Sequence, residues 1–208
     1  MSDLTTLLAI GGAFVVVASS PGPANLAAAT VAMANGRRVG LVFALGLSVG
    51  LAFWGVLAAV GLGAILSQSA TALLVLKILG GAYLLWLAWQ SGKSAMRRGP
   101  SDASAAPQGG GRWFWRGLLL NLSNPKAVFA WMAALSVGLD PSDGTGAVIG
   151  ATVMCAVIGL INATGHAWVF SFPGIMARYR RARRWIDGTV AALFAGAGFG
   201  LIRSALAR

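Results

Sequence analysis

Two short clusters of prolines and polar residues interrupt apolar stretches: Ser19-Ser20-Pro21-Gly22-Pro23-Ala24-Asn25 and Asn121-Leu122-Ser123-Asn124-Pro125-Lys126-Ala127. Proline has no backbone donor and clashes with the preceding helical turn. Each cluster therefore predicts a helix that stops and starts again. A restarted helix presents unpaired N–H groups at the positive end of its dipole, and anions bind there. The helix starts after Pro23 and Pro125 can hold an amino-acid carboxylate. The unwound carbonyls of residues 19–22 and 123–124 can accept from its ammonium. The amides of Asn25, Asn121 and Asn124 either extend such a zwitterion site or satisfy backbone groups freed at the breaks. Lys126 either meets the substrate carboxylate or modulates coupling, or it snorkels to a membrane face. The candidate binding residues are thus Pro21, Gly22, Pro23, Asn25, Asn121, Asn124, Pro125 and Lys126. The competing reading is two structural kinks without a ligand.

Other chemistry is sparse. His166 is the single histidine. In an apolar stretch it is a candidate proton relay or a satisfied core residue. Lys77 is expected to snorkel, and Asp187 to pair with Arg183 or Arg184 or to cap a helix. Gly46-Leu47-Ser48-Val49-Gly50 has the spacing of a nucleophile elbow, which needs a strand-turn-helix context. The same Gly46/Gly50 spacing serves helix packing and recurs at Gly146/Gly150 and Gly196/Gly200. An intramembrane hydrolase using Ser48 and His166 stays as an alternative function, as does a transporter or channel for another small solute. One histidine, one cysteine and no glutamate do not readily supply a convergent set of metal ligands, so no metal is expected. No phosphate-binding glycine loop is present, so no cofactor is expected. Cys155 has no partner cysteine for an internal disulfide and reads as a packed small residue.

The elements that must carry these residues follow from composition. The 208 residues are 57% hydrophobic and only 10% charged, with mean hydropathy +0.76. Soluble domains carry about 25% charged residues, so an ordinary soluble fold and disorder are both excluded. A membrane helix takes about 20 residues. Charge-free runs place six spans at about 4–36, 39–66, 71–91, 113–138, 146–172 and 186–206. The N-terminus lacks the features of a cleaved signal peptide. The net charge of +11 would suit nucleic acid in a soluble protein. Here it fits the cytoplasmic loops of a membrane protein. Twelve of the sixteen Lys and Arg fall in the loops after spans one, three and five, and only Arg203 and Arg208 on the other side. That split predicts cytoplasmic basic loops and both termini outside.

The proline clusters fall in the first span of each three-span half. Three is odd, so the halves enter the membrane in opposite senses. Broken helices in equivalent places of inverted halves mark a transporter binding site. The expected organisation is a first half at 1–92, a flexible Gly-, Pro- and Ser-rich cytoplasmic loop at 93–112 and a second half at 113–208.

At these positions the chain resembles a known family. Ser20-Pro21-Gly22-Pro23 is similar to the proline-glycine-proline signature of the LysE/RhtB amino-acid exporters, and Asn121 to Ala127 to that family's asparagine-proline-lysine motif. Leu79-Gly80-Gly81-Ala82-Tyr83-Leu84 and the glycine-rich run from Asp187 to Gly198 resemble its third and last spans. The resemblance implies export of amino acids or related metabolites, driven by the proton motive force, from a multi-pass protein of the bacterial inner membrane. The acids are Asp3, Asp102, Asp140, Asp143 and Asp187, all in loops or near span ends, which favours a neutral substrate. Expected partners are that small molecule, protons and the bilayer, with homo-oligomerisation open and no nucleic acid. The expectation is an all-α membrane transporter, not an enzyme.

Overall fold

A computed structural model describes residues 4–68, 70–96, 112–138 and 144–206, and these are helical almost throughout. The helices are α1 (Leu4–Ser19), α2 (Pro23–Asn35), α3 (Arg37–Gln68), α4 (Ala70–Met96), α5 (Trp113–Leu122), α6 (Pro125–Gly138), α7 (Thr145–Val169) and α8 (Ile175–Leu206). Helical structure stops at both proline clusters. The axis bends by 56° between α1 and α2. Gly36, at φ 85°, turns the chain from α2 into α3, a conformation that favours glycine. The centre of the loop expected at 93–112, and the turn at 139–143, lie outside the described residues.

The distribution of side chains is that of a protein in lipid. Val60, Phe199, Trp185, Ile161 and Leu206 are among the large apolar side chains left exposed, while Ser20, Asn25, Asn121 and Asp187 are buried. In water this arrangement would be costly in both directions. By length and apolarity, the described residues contain three crossings: Arg37–Gly61, Thr145–Val169 and Ile175–Leu206. The bent pair α1–α2 makes a fourth if taken as one span. The pieces α5 and α6 are 10 and 14 residues long. Each alone is shorter than a bilayer requires.

Two helix pairs dominate the packing, α4 with α8 and α3 with α5. Glycine sets the second. A side chain at Gly46 would run into the backbone of Phe114, one at Gly117 into the backbone of Phe43, and one at Gly50 would meet Asn121 Cβ at 2.9 Å. Backbones approach this closely only where a Cβ is missing. The Gly46/Gly50 spacing is therefore a packing device inside a continuous helix, and no nucleophile elbow exists there. The expected repetition of that role fails: Gly146, Gly150, Gly196 and Gly200 have nothing within 4 Å of a built Cβ.

Two further expectations change. The basic stretch at 178–184, read as a loop, forms the early turns of α8, which begins at Ile175. Asp187 accordingly lies deep in that helix and caps nothing. Lys77 is only 7% exposed and is covered by protein rather than extended to a surface.

The ends carrying the basic residues meet. Arg37, opening α3, donates from Nε to Ser171 Oγ at 3.2 Å and lies over the Phe172 ring at 4.9 Å. Ser94, near the end of α4, joins Arg183 and Asp187 of α8. At the other end the core closes around Trp131. It is fully buried, its ring lies 4.8 Å from that of Phe14, and its indole N–H donates to Leu51 O at 2.8 Å.

Candidate functional site

The first break consists of Ser20, Pro21 and Gly22. It leaves the carbonyls that end α1 without helical donors, and side chains replace those donors. Asn25 Nδ2 donates to Ala18 O at 2.6 Å and to Ser20 O at 3.1 Å. Asn162 of α7 donates from Nδ2 to Ala18 O at 3.1 Å and to Asn25 Oδ1 at 3.3 Å, and its Oδ1 accepts from Ser19 Oγ. Ser20 Oγ donates to Val17 O at 2.8 Å. Lys126 reaches over from α6 and donates from Nζ to Ser20 O at 2.8 Å and to Ser20 Oγ. Buried carbonyls without donors would cost about 1–3 kcal/mol each, so these side chains hold the break open.

The start of α2 has no such help. Gly22 is its N-cap in extended backbone, and no side chain caps the helix. Pro23 occupies the first helical turn, where its missing donor costs nothing. The next N–H groups, of Ala24 and Asn25, belong to residues that line a cavity of about 60 Å³. Gly22, Ser48, Asn121, Asn124, Lys126 and Asn162 also line it, with Phe14, Leu47 and Leu51 as its apolar side. Asn121 Oδ1 is buried without a hydrogen-bond donor. No carboxylate is among the lining residues.

The second break is tighter. Asn124 Oδ1 accepts from the backbone N–H of Lys126 at 3.1 Å, and Asn124 O accepts from that of Ala127 at 3.0 Å. On the preceding side, the N–H groups of Ser123 and Asn124 reach Leu119 O and Asn121 O. Asn124 is thus an N-cap. The start of α6, expected to offer N–H groups to a carboxylate, spends two of them on Asn124.

A second cavity, of about 330 Å³, lies at the end of the molecule where the basic residues collect. Pro21, Gly22 and Pro23 line it, with Gln90, Ser91, Ser94, Arg183 and Asp187. Asp187 is 1% exposed, accepts from Ser94 Oγ at 2.6 Å and lies 3.4 Å from Arg183 Nε. Its pairing with Arg183 matches the sequence expectation.

The structure therefore gathers Gly22, Asn25, Asn121, Asn124 and Lys126 around one cavity and puts Pro21 and Pro23 beside the other. Pro125 sits exposed at the first position of α6 and lines neither. The Asn25 amide is committed to the freed carbonyls, the alternative role foreseen for it. Lys126 turns inward and does not snorkel. His166 lines neither cavity; its Nδ1 lies 2.8 Å from Asn162 O. A carbonyl only accepts, so Nδ1 carries a proton. Ser48 Oγ donates to Ala44 O. Among the described residues Ser48 and His166 share no hydrogen bond, and the hydrolase dyad is not formed. Asn162 was missed as a site residue, and so was the hydroxyl of Ser20, whose carbonyl was among the acceptors foreseen. Asn162 had a signal, an amide inside an apolar run one turn before His166. The Ser20 hydroxyl had one too, as the residue that precedes Pro21 in the first cluster.

The sequence of the LysE type translocator family matches residues 15–205. The threonine efflux protein of Escherichia coli K12 is 33% identical over 205 residues, covering 97% of this chain and 99% of that one. The threonine efflux protein of Salmonella typhi is 32% identical over 91% of this chain and 94% of its own. The homoserine/homoserine lactone efflux protein of Salmonella typhimurium is 32% identical over 81% and 78%. No solved structure gives a significant match. A match over nearly the whole length, with relatives of the same extent, makes this chain a member of the LysE type translocator family, a multi-pass membrane transporter for amino-acid efflux and not an enzyme.

Proposed function

We propose that the chain exports a small neutral amino acid of the threonine and homoserine class across the bacterial inner membrane, driven by the proton motive force. One observation carries the substrate class. The cavity between the breaks is lined by amides, Ser48 and Lys126, with no carboxylate to balance a second cationic group on the substrate. A buried unpaired charge is too costly for a site to accept readily. Threonine and homoserine, named for the relatives, are isomers with one ammonium and one carboxylate. In this reading the carboxylate lies at the open start of α2, toward Ala24 and Asn25. The ammonium takes acceptors from Ser20 O, Ser20 Oγ and Asn121 Oδ1. The substrate side chain faces Phe14, Leu47 and Leu51.

The topology that goes with this has six spans: α1 with α2, α3, α4, α5 with α6, α7 and α8. They form two inverted halves joined by the 93–112 loop, with both termini outside. The contacts of Arg37 with Ser171 and of Ser94 with Arg183 support it, since they put the basic loops at one end. In a Cys155→Ala background, Thr5→Cys should react in intact cells with an impermeant thiol reagent and Pro173→Cys should not. The reverse pattern would invert the orientation.

The test of the site is binding to purified protein in lipid nanodiscs. Threonine and homoserine should bind, and lysine should not compete. Threonine amide lacks the carboxylate charge and should bind about ten- to a hundredfold more weakly, one charge-assisted hydrogen bond being worth about 1.5–3 kcal/mol. Equal binding of acid and amide would remove the helix start from the site.

A further inference from the structure

We propose that Lys126 carries the coupling proton, by competing with the substrate's ammonium for the two acceptors that Ser20 presents at the first break. This rests on the reading of the cavity as an amino-acid site.

The geometry is that of a latch. Lys126 belongs to α6, yet its Nζ is bonded to Ser20, 106 residues earlier in the chain. The hydroxyl proton of Ser20 is committed to Val17 O, so Oγ can only accept. Gly22 lets the ammonium in: a Cβ there would stand 3.1 Å from Nζ and 3.3 Å from Cδ of Lys126. Gly22 lines both cavities, Ser20 the larger and Lys126 the smaller. The latch therefore stands between the basic-end cavity and the inner one.

No acid holds Lys126 in place. Among the described residues the one carboxylate near the site is Asp187, and it is engaged by Ser94 and Arg183 across the larger cavity. The helices packed on α6 bring His166 on α7, with Nδ1 on Asn162 O, and Tyr83 on α4, stacked on Phe129. Lys77 also lies on α4, and α1, α2, α3 and α5 put no titratable side chain into the cavity lining. The Lys126 charge thus rests on Ser20 alone.

A substrate ammonium needs the same kind of acceptor. Two ammonium groups on one carbonyl and one hydroxyl oxygen would repel, so bound substrate and protonated Lys126 exclude each other. Mutual exclusion at one site is the physical basis of exchange. An amino acid entering from the cytoplasmic cavity takes Ser20, and Lys126 releases its proton to water there. When the substrate has left on the other side, Lys126 takes a proton from that side and reseats. One proton enters for each zwitterion exported, and one positive charge moves inward per cycle.

The experiment uses the full chain in proteoliposomes with labelled threonine and homoserine. It reads accumulation driven by an imposed pH gradient, and counterflow with the same amino acid on both sides. Lys126→Gln should lose gradient-driven accumulation, down to the level of empty liposomes, while keeping counterflow within about threefold of wild type. Lys126→Arg keeps a charge that does not come off and should lose both activities while eluting as a folded protein. Accumulation by Lys126→Gln at the wild-type level would overturn the proposal. So would loss of counterflow in Lys126→Gln protein that elutes as folded, or wild-type accumulation by Lys126→Arg, either of which would make Lys126 a fixed substrate ligand. Absence of counterflow in the wild type would overturn the export reading itself, and the coupling proposal with it.

Discussion

At the first break the chain takes three residues to pass from α1 to α2 and turns by 56°. At the second it takes two, Ser123 and Asn124, from α5 to α6. Both contain an Xaa-Pro pair and a nearby asparagine, yet they meet the backbone problem differently. The second break closes on itself, with four backbone N–H groups bonded within residues 119–127 and Asn124 as the cap. The first imports its partners from Asn25, Asn162 and Lys126, and leaves the start of α2 uncapped. The lesson is that a proline break offers free N–H groups only where its helix start is left without a partner of its own. The second break instead aims Lys126 at the first.

The comparison makes graded predictions. The largest effect should come from Pro21→Ala/Pro23→Ala, which lets the ladder run from α1 into α2 and consumes the free N–H groups at the start of α2. Efflux, normalised to inserted protein, should fall by about a hundredfold or more, the equivalent of two charge-assisted hydrogen bonds. Wild-type efflux would make the two breaks equivalent kinks.

Asn25→Ala and Asn162→Ala should follow. Each removes donors from Ala18 O, and Asn25→Ala also one from Ser20 O. Each should cost about 1–3 kcal/mol, read as a lower unfolding temperature in lipid nanodiscs, with efflux down about tenfold. Unchanged stability in both would mean that other groups hold the first break open.

Asn124→Ala tests the self-contained break. Loss of an N-cap costs about 1 kcal/mol, so stability should fall slightly while threonine affinity stays within about threefold. Loss of binding at unchanged stability would place Asn124 against the substrate. The smallest effect belongs to Pro125→Ala. Proline at the first helical position relieves the helix of a donor it cannot use. Stability should change by no more than about 0.5 kcal/mol, and efflux should hold. A large loss there would mean that the second break, too, must be kept from closing.

These gradations were not visible in residue types. Pro21, Pro23 and Pro125 read alike in the sequence, and so did Asn25, Asn121 and Asn124. Their neighbours in space separate them: Asn25 faces two freed carbonyls, Asn124 faces its own helix, and Asn121 Oδ1 faces a cavity. The glycine pairs show the same limit. Gly46 and Gly50 lie against α5 while Gly146/Gly150 and Gly196/Gly200 face open space, although the spacing is identical.

What the sequence determined by itself was the solvent, the helical class and the two proline clusters as places where helical structure stops. Those properties depend on local covalent chemistry: too few charges to cover a watery surface, proline's missing donor, and the clustering of Lys and Arg. Which helix start stays open, where Lys126 sends its ammonium and that Asn162 closes the first break were decided by tertiary structure. The last two depend on groups more than a hundred residues apart meeting within hydrogen-bond distance. No local pattern records a pairing of that range, because it exists only after α1, α6 and α7 have packed.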